Sequence, residues 1–105
     1  MTATEAACAR LDALPARELR GGLRVASAER RVERLAGLAR LDAMPAAYAL
    51  HLPRCRSVHT FGMRFAIDIA FLDPSGRVLR IERNVPRRRL VRCRGAAAVM
   101  EWRSA

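Results

Sequence analysis

At 105 residues, 51% of them hydrophobic, the chain can build one modest core, which excludes both a second domain and a disordered tail. Its longest uncharged stretch, Ala43 to Pro53, holds two prolines and His51, which excludes a bilayer-spanning helix. The net charge is +10 and all twenty basic residues are Arg, which turns attention to anionic partners.

Thr4 is placed to cap a short helix that runs to about Leu14 and stops at Pro15. Residues 1–20 are thus expected to form an N-terminal extension, with a single domain over 21–105. Gly21-Gly22 reads as a turn, with a short strand after it through Leu23 and Val25. Ser27 is a good N-cap, and Val32, Leu35, Ala36 and Ala39 recur at helical spacing. This predicts one main amphipathic helix over 28–40 that packs on a sheet. "ARLDALPA" at 9–16 returns as "ARLDAMPA" at 39–46. Two copies are too few for a solenoid, so the repeat reads as a local device, a helix end followed by a proline stop.

Ala47–Leu52 alternates as a strand, and Arg56–Thr60 is a second short extended piece. Phe65–Leu72 carries the strongest strand pattern, with Phe65, Ile67, Ile69 and Phe71 on one face. "DPSG" at 73–76 suits a type I turn, so Arg77–Arg83 should return as the hairpin partner. A loop through Asn84, Pro86 and Arg87–Arg89 leads to a last strand near Ala97–Trp102. Four to six short strands with hairpin connections predict an α+β domain. Its sheet should be mostly antiparallel and barrel-like in curvature.

"CRSVHTFGMRFAIDIAFLDPSGRV" closely resembles the signature of the bacterial and archaeal family known as domain of unknown function 192. "LRVASAERRVERLAGLARL" is similar to that family's first strand and helix. "RCRGAAAVMEW" is similar to its late strand, Gly-Ala-x-x-Val-hydrophobic-Glu. The resemblance covers about residues 22–102. Ala66 stands where the family usually has proline. Members tend to run past the final Glu through a Gly-rich segment, whereas this sequence ends at Ala105, so the last strand is expected to be short or uncovered. The resemblance implies a small α+β fold and no established activity. It also implies an accessory association with pilus or secretion machinery.

Asp68 shares the second face of its strand with Ala66, Ala70 and Leu72. A carboxylate there should be partly buried and held by Arg or backbone donors. Arg56, His59, Thr60, Met63 and Asp68 form the candidate polar cluster, read either as structural hydrogen bonding or as a ligand site. A small enzyme using His59, Thr60 and Asp68 is a further alternative, with no cofactor fingerprint behind it and no catalytic residue assigned. His51, Cys55 and His59 are spaced by four, and with Cys93 they suggest zinc. Extended backbone, however, separates such positions by roughly 13 Å, so neither a metal nor a cofactor is expected.

Residues 54–105 hold twelve Arg and four acids, so +8 of the net charge lies there. Arg87, Arg88, Arg89, Arg92 and Arg94 make 83–94 a candidate anion-binding loop, able to hold nucleic acid or another polyanion weakly and without sequence preference. Interleaved aromatics for base stacking are lacking. Three cysteines without a C-x-x-C pair, and an N-terminus with Glu5, Arg10 and Asp12 in place of an apolar leader, make the cytoplasm the expected compartment. The favoured function is a non-catalytic binding or assembly-accessory domain.

Overall fold

The computed structural model describes residues 1–105. Along the chain lie α1 (Ala3–Asp12), β1 (Ala16–Glu18), β2 (Arg24–Ser27), α2 (Arg31–Ala36), β3 (Tyr48–Pro53), β4 (Ser57–His59), β5 (Ile67–Leu72), β6 (Val78–Val85), β7 (Leu90–Arg92) and β8 (Ala98–Arg103). Six strands form one sheet in the order β1-β2-β3-β8-β5-β6, and β4 pairs with β7 in a separate ribbon. Only β2 and β3 are parallel. A parallel pair needs a crossover, and the segment containing α2 supplies it. The fold is the α+β class expected, with eight strands. The sheet is open, with β1 and β6 as its edges, and does not close into a barrel.

Local chemistry explains most boundaries. Thr2, not Thr4, caps α1: its Oγ1 accepts from the Glu5 N–H at 3.0 Å. Ala7 and Leu11 carry that helix into the core. Gly21 and Gly22, at φ 90° and 85°, turn β1 into β2. Asp73 organises the β5–β6 turn, its Oδ1 accepting from the N–H groups of Ser75 and Arg77.

The main helix predicted over 28–40 is cut to Arg31–Ala36. Ser27 does not cap it; that hydroxyl donates to Glu29. Gly37, at φ 51°, ends the helix before its apolar stripe is complete. Val32 and Leu35 are therefore 59% and 60% exposed instead of packing on the sheet. Leu38 and Leu41 in the following turns enter the core in their place. The last strand also departs from expectation. β8 has six residues and lies between β3 and β5, the most protected place in the sheet.

The two sheet faces differ. Ala26, Leu50, Leu52, Ile67, Ile69, Phe71 and Val99 belong to one buried cluster with α1, Leu38, Leu41 and Val58 of the ribbon. Removing such side chains from water is what drives the sheet and its covering layer together. The opposite face carries Ala49, Ala70, Leu72, Met100 and Trp102. There they line an open apolar groove of about 620 Å³ with Val78 and Ile81 of the edge strand.

Candidate functional site

Glu101 is the residue that the fold makes exceptional. On β8 it follows Val99 in strand alternation and so points to the covered face, opposite Leu50 of β3 and Ile69 of β5. It is 1% exposed, and its Oε1 has no hydrogen-bond partner. Burial alone pushes the carboxyl up to about 8, so at neutral pH it is mostly the uncharged acid. Gly37 sits directly against it: a Cβ there would come within 3.1 Å of Oε1. The helix-ending glycine thus gives the carboxyl its room.

Glu101 lines a cavity of about 320 Å³. Leu52 of β3 and Glu101 of β8 contribute from the sheet, α2 and Gly37 wall one side, and Val58, His59 and Leu90 of the ribbon wall the other. Gly37, Leu52, Val58, Met63 and Glu101 are buried, whereas Arg31, Arg54 and Arg56 are exposed, so the guanidiniums mark the mouth and the carboxyl the deep end. Arg34 completes four cations against a single acid. Arg34 and Arg54 converge on the carbonyl of Glu29, donating to it at 2.6 and 2.9 Å. Exposed Leu35 and Leu90 add an apolar rim.

His59 supplies a second unpartnered group. Its Nε2 lies 3.2 Å from the Leu35 carbonyl, an acceptor, so Nε2 carries the hydrogen. The neutral ring then has its lone pair on Nδ1, which is buried without a partner. Cys55 also lines the cavity. Its Sγ–H donates to the Ser57 carbonyl, and burial raises its pKa, so the thiol is no ready nucleophile.

The sequence cluster divides. Arg56, His59 and Met63 line the cavity. Thr60, fully buried, faces the basic segment instead: its Oγ1 donates to the Pro86 carbonyl at 2.7 Å and accepts from the Arg89 N–H at 2.8 Å. Asp68 shares the other sheet face with Ala70, away from His59 and Thr60. Its Oδ1 accepts from the Asn84 N–H at 2.9 Å and from Ser104 Oγ at 2.6 Å, and its Oδ2 from Arg83 at 3.2 Å. Burial raises its pKa, but the Asn84 N–H, Ser104 and Arg83 outweigh it and leave the carboxyl lowered. None of its partners is Arg56, Arg64, His59 or Thr60; Arg64 pairs with Asp42. His59, Thr60 and Asp68 therefore do not converge on one centre.

The basic segment is not simply a loop, because Leu90–Arg92 forms β7 against β4. Arg87, Arg88, Arg89, Arg92 and Arg94 are all exposed. Arg92 and Arg94 share a second cavity of about 500 Å³ with Arg56. No three His, Cys, Asp or Glu side chains are grouped as metal ligands. No helix is long and apolar enough to cross a membrane.

A family model matches residues 16–104: that of DUF192, described as an uncharacterised group. No curated protein matches the chain significantly. Two crystal structures share the fold. One is a protein of unknown function from Novosphingobium aromaticivorans, with 16% identity and a TM-score of 0.70, covering 90% of this chain and 85% of that one. The other is a Sinorhizobium meliloti protein whose description proposes a transcription regulator. Its identity is 19% and its TM-score 0.71, covering 85% of this chain and 78% of that one.

Proposed function

The chain belongs to the DUF192 family, and we propose that it is a non-catalytic binding domain that holds a small anion in the Glu101 cavity. The observation that carries this reading is one pocket lined by four arginines toward its mouth and, at its deep end, by a buried, uncharged carboxyl whose Oε1 has no hydrogen-bond partner. A buried polar group without a partner costs roughly 1–3 kcal/mol, a cost that a ligand able to pair it would offset. Guanidinium forks match phosphate and carboxylate oxygens. Ion-pair frameworks normally balance their charges, whereas this one leaves three or more cations unmatched within the cavity. A Cys55 thiol whose pKa burial raises and the scattered His59, Thr60 and Asp68 give no support to catalysis.

A second reading rests on the exposed Arg87–Arg94 segment, and the transcription-regulator description of the Sinorhizobium meliloti protein leans the same way. It is limited to weak, sequence-independent polyanion binding. α2 has only six residues and α1 carries Glu5 and Asp12, so neither resembles a base-reading helix. An assembly-accessory role has no feature of its own in this geometry.

One experiment separates the two readings: the melting temperature measured against inorganic phosphate. A ligand that binds only the folded state raises it with concentration. In the Arg31→Ser/Arg54→Ser double variant, which leaves Arg56 and the cavity it shares with Arg92 and Arg94 untouched, the rise should vanish, and in the Arg87–Arg89→Ser triple variant it should persist. The reverse pattern would favour the basic segment, and no rise in any variant would remove the anion site.

A further inference from the structure

We infer that the ligand of this cavity is a small hydroxylated organic phosphate, with its phosphate at the Arg mouth and its hydroxyls on Glu101 and His59. This rests on the anion-binding reading and adds the chemistry of the deep end. At the mouth, exposed Arg31, Arg54 and Arg56 line the cavity with half-buried Arg34. Each guanidinium presents five donors. Two carboxylate oxygens use few of them; three phosphate oxygens with nearly two negative charges use more.

The deep end is different in kind. It contains no cation, and its two unpartnered atoms ask for opposite partners. His59 Nδ1 is an acceptor and needs a donor, because Nε2–H is already committed to the Leu35 carbonyl. An uncharged Glu101 carboxyl has one O–H to donate and needs an acceptor, while its other oxygen can still accept. Hydroxyl groups both donate and accept, so a polyol satisfies both residues. A second anionic group could pair only with the Glu101 O–H, and would stand against the His59 lone pair. An ammonium could donate to His59 and draw the proton from Glu101, but it would enter a cavity already lined by four arginines. Between these polar atoms stand Leu52, Val58 and Met63, which suit the C–H faces of a sugar or glycerol body. At about 320 Å³ the cavity belongs at the small end of ligand sites, room for one sugar phosphate and not for a nucleic-acid strand.

The test is calorimetric titration of the purified full chain with inorganic phosphate, glycerol 3-phosphate, ribose 5-phosphate and glucose 6-phosphate. At least one organic phosphate should bind roughly tenfold or more tighter than inorganic phosphate, the worth of one or two net hydrogen bonds. That ratio should fall to near one in Glu101→Leu. It should also fall in His59→Phe, which guards against a folding defect peculiar to either variant. Equal affinities in the unaltered chain, or an advantage that survives both substitutions, would overturn the hydroxyl assignment and leave the anion site standing. Absence of binding by all four compounds would overturn both.

Discussion

Glu101 carries a charge state set wholly by its place in the sheet. A carboxyl in the unfolded chain ionises near 4.5, whereas in the fold it holds its proton to about 8. Below the first value both states are protonated and Glu101 adds no pH dependence. Between the two values the unfolded chain releases a proton that the fold keeps, so stability falls as pH rises. The slope approaches about 1.4 kcal/mol per pH unit and levels off above pH 8. Glu101→Gln should abolish that fall and be the more stable protein at pH 8 in urea unfolding; equal profiles for the two proteins would show that the carboxyl is solvated. This residue was only partly legible in the sequence. "AAAVMEW" shows an acid in phase with Val99, and the resemblance to the late family strand marked its Glu. Its burial depends on β8 lying between β3 and β5 and on Gly37 approaching from 64 positions away. No local pattern encodes either. Arg56, His59 and Met63, grouped from the sequence, line one cavity because β4 and the residues flanking it keep them close along the chain.

At the scale of elements, the strand-and-turn grammar was readable and the partners were not. β5, the "DPSG" turn and β6 follow from alternation and turn chemistry, both local. The helix over 28–40 failed because Gly37 takes a left-handed backbone where the periodic stripe asks for one more turn. The repeated octapeptide shows the same limit. At 9–16 it closes a helix; at 39–46 it lies in turns beyond one, although Leu11 and Leu41 are both buried. Asp68 is best understood as an element-level pin. The β5–β6 register slips between Ile67 and Ile69, and Asn84 takes φ 53° there, a bulge that leaves its N–H free of the ladder. Asp68 accepts that N–H and the Ser104 hydroxyl that follows β8. Asp68→Ala strands both donors and should cost roughly 1–3 kcal/mol for each that stays buried. Arg83→Ala should cost far less, since Arg83 is 63% exposed. The contribution of Asp68 has the opposite pH sense to that of Glu101. Its folded pKa is lowered, so its stabilisation is present above the ordinary carboxylate range and is lost as pH falls through the lowered value. Chemical denaturation of both variants at pH 7 and near pH 3 checks the order and the sign. An Arg83→Ala loss as large as that of Asp68→Ala would move the anchor from the backbone to the ion pair.

The whole molecule is an open sheet with unequal sides. The larger groove, about 620 Å³ on the uncovered face, is almost wholly apolar and holds no unpartnered buried polar atom. The smaller cavity, about 320 Å³, is lined by both residues that carry an unpartnered buried polar atom, His59 and Glu101, and by four arginines. Chemistry, not size, selects the site. Of the twelve Arg in residues 54–105, Arg54 and Arg56 line that cavity and five more lie at Arg87–Arg94, with Arg56 also lining the cavity that Arg92 and Arg94 share. The question for the molecule is therefore where an anion rests. Amide chemical-shift mapping of the isotope-labelled chain during a titration with inorganic phosphate answers it directly. Saturable shifts at Gly37, Cys55, His59 and Glu101 are predicted, reaching a plateau at concentrations where the amides of residues 87–94 have barely moved. Shifts confined to residues 87–94, growing without saturation and fading as salt is added, would contradict the cavity and leave a diffuse basic surface as the protein's means of meeting anions.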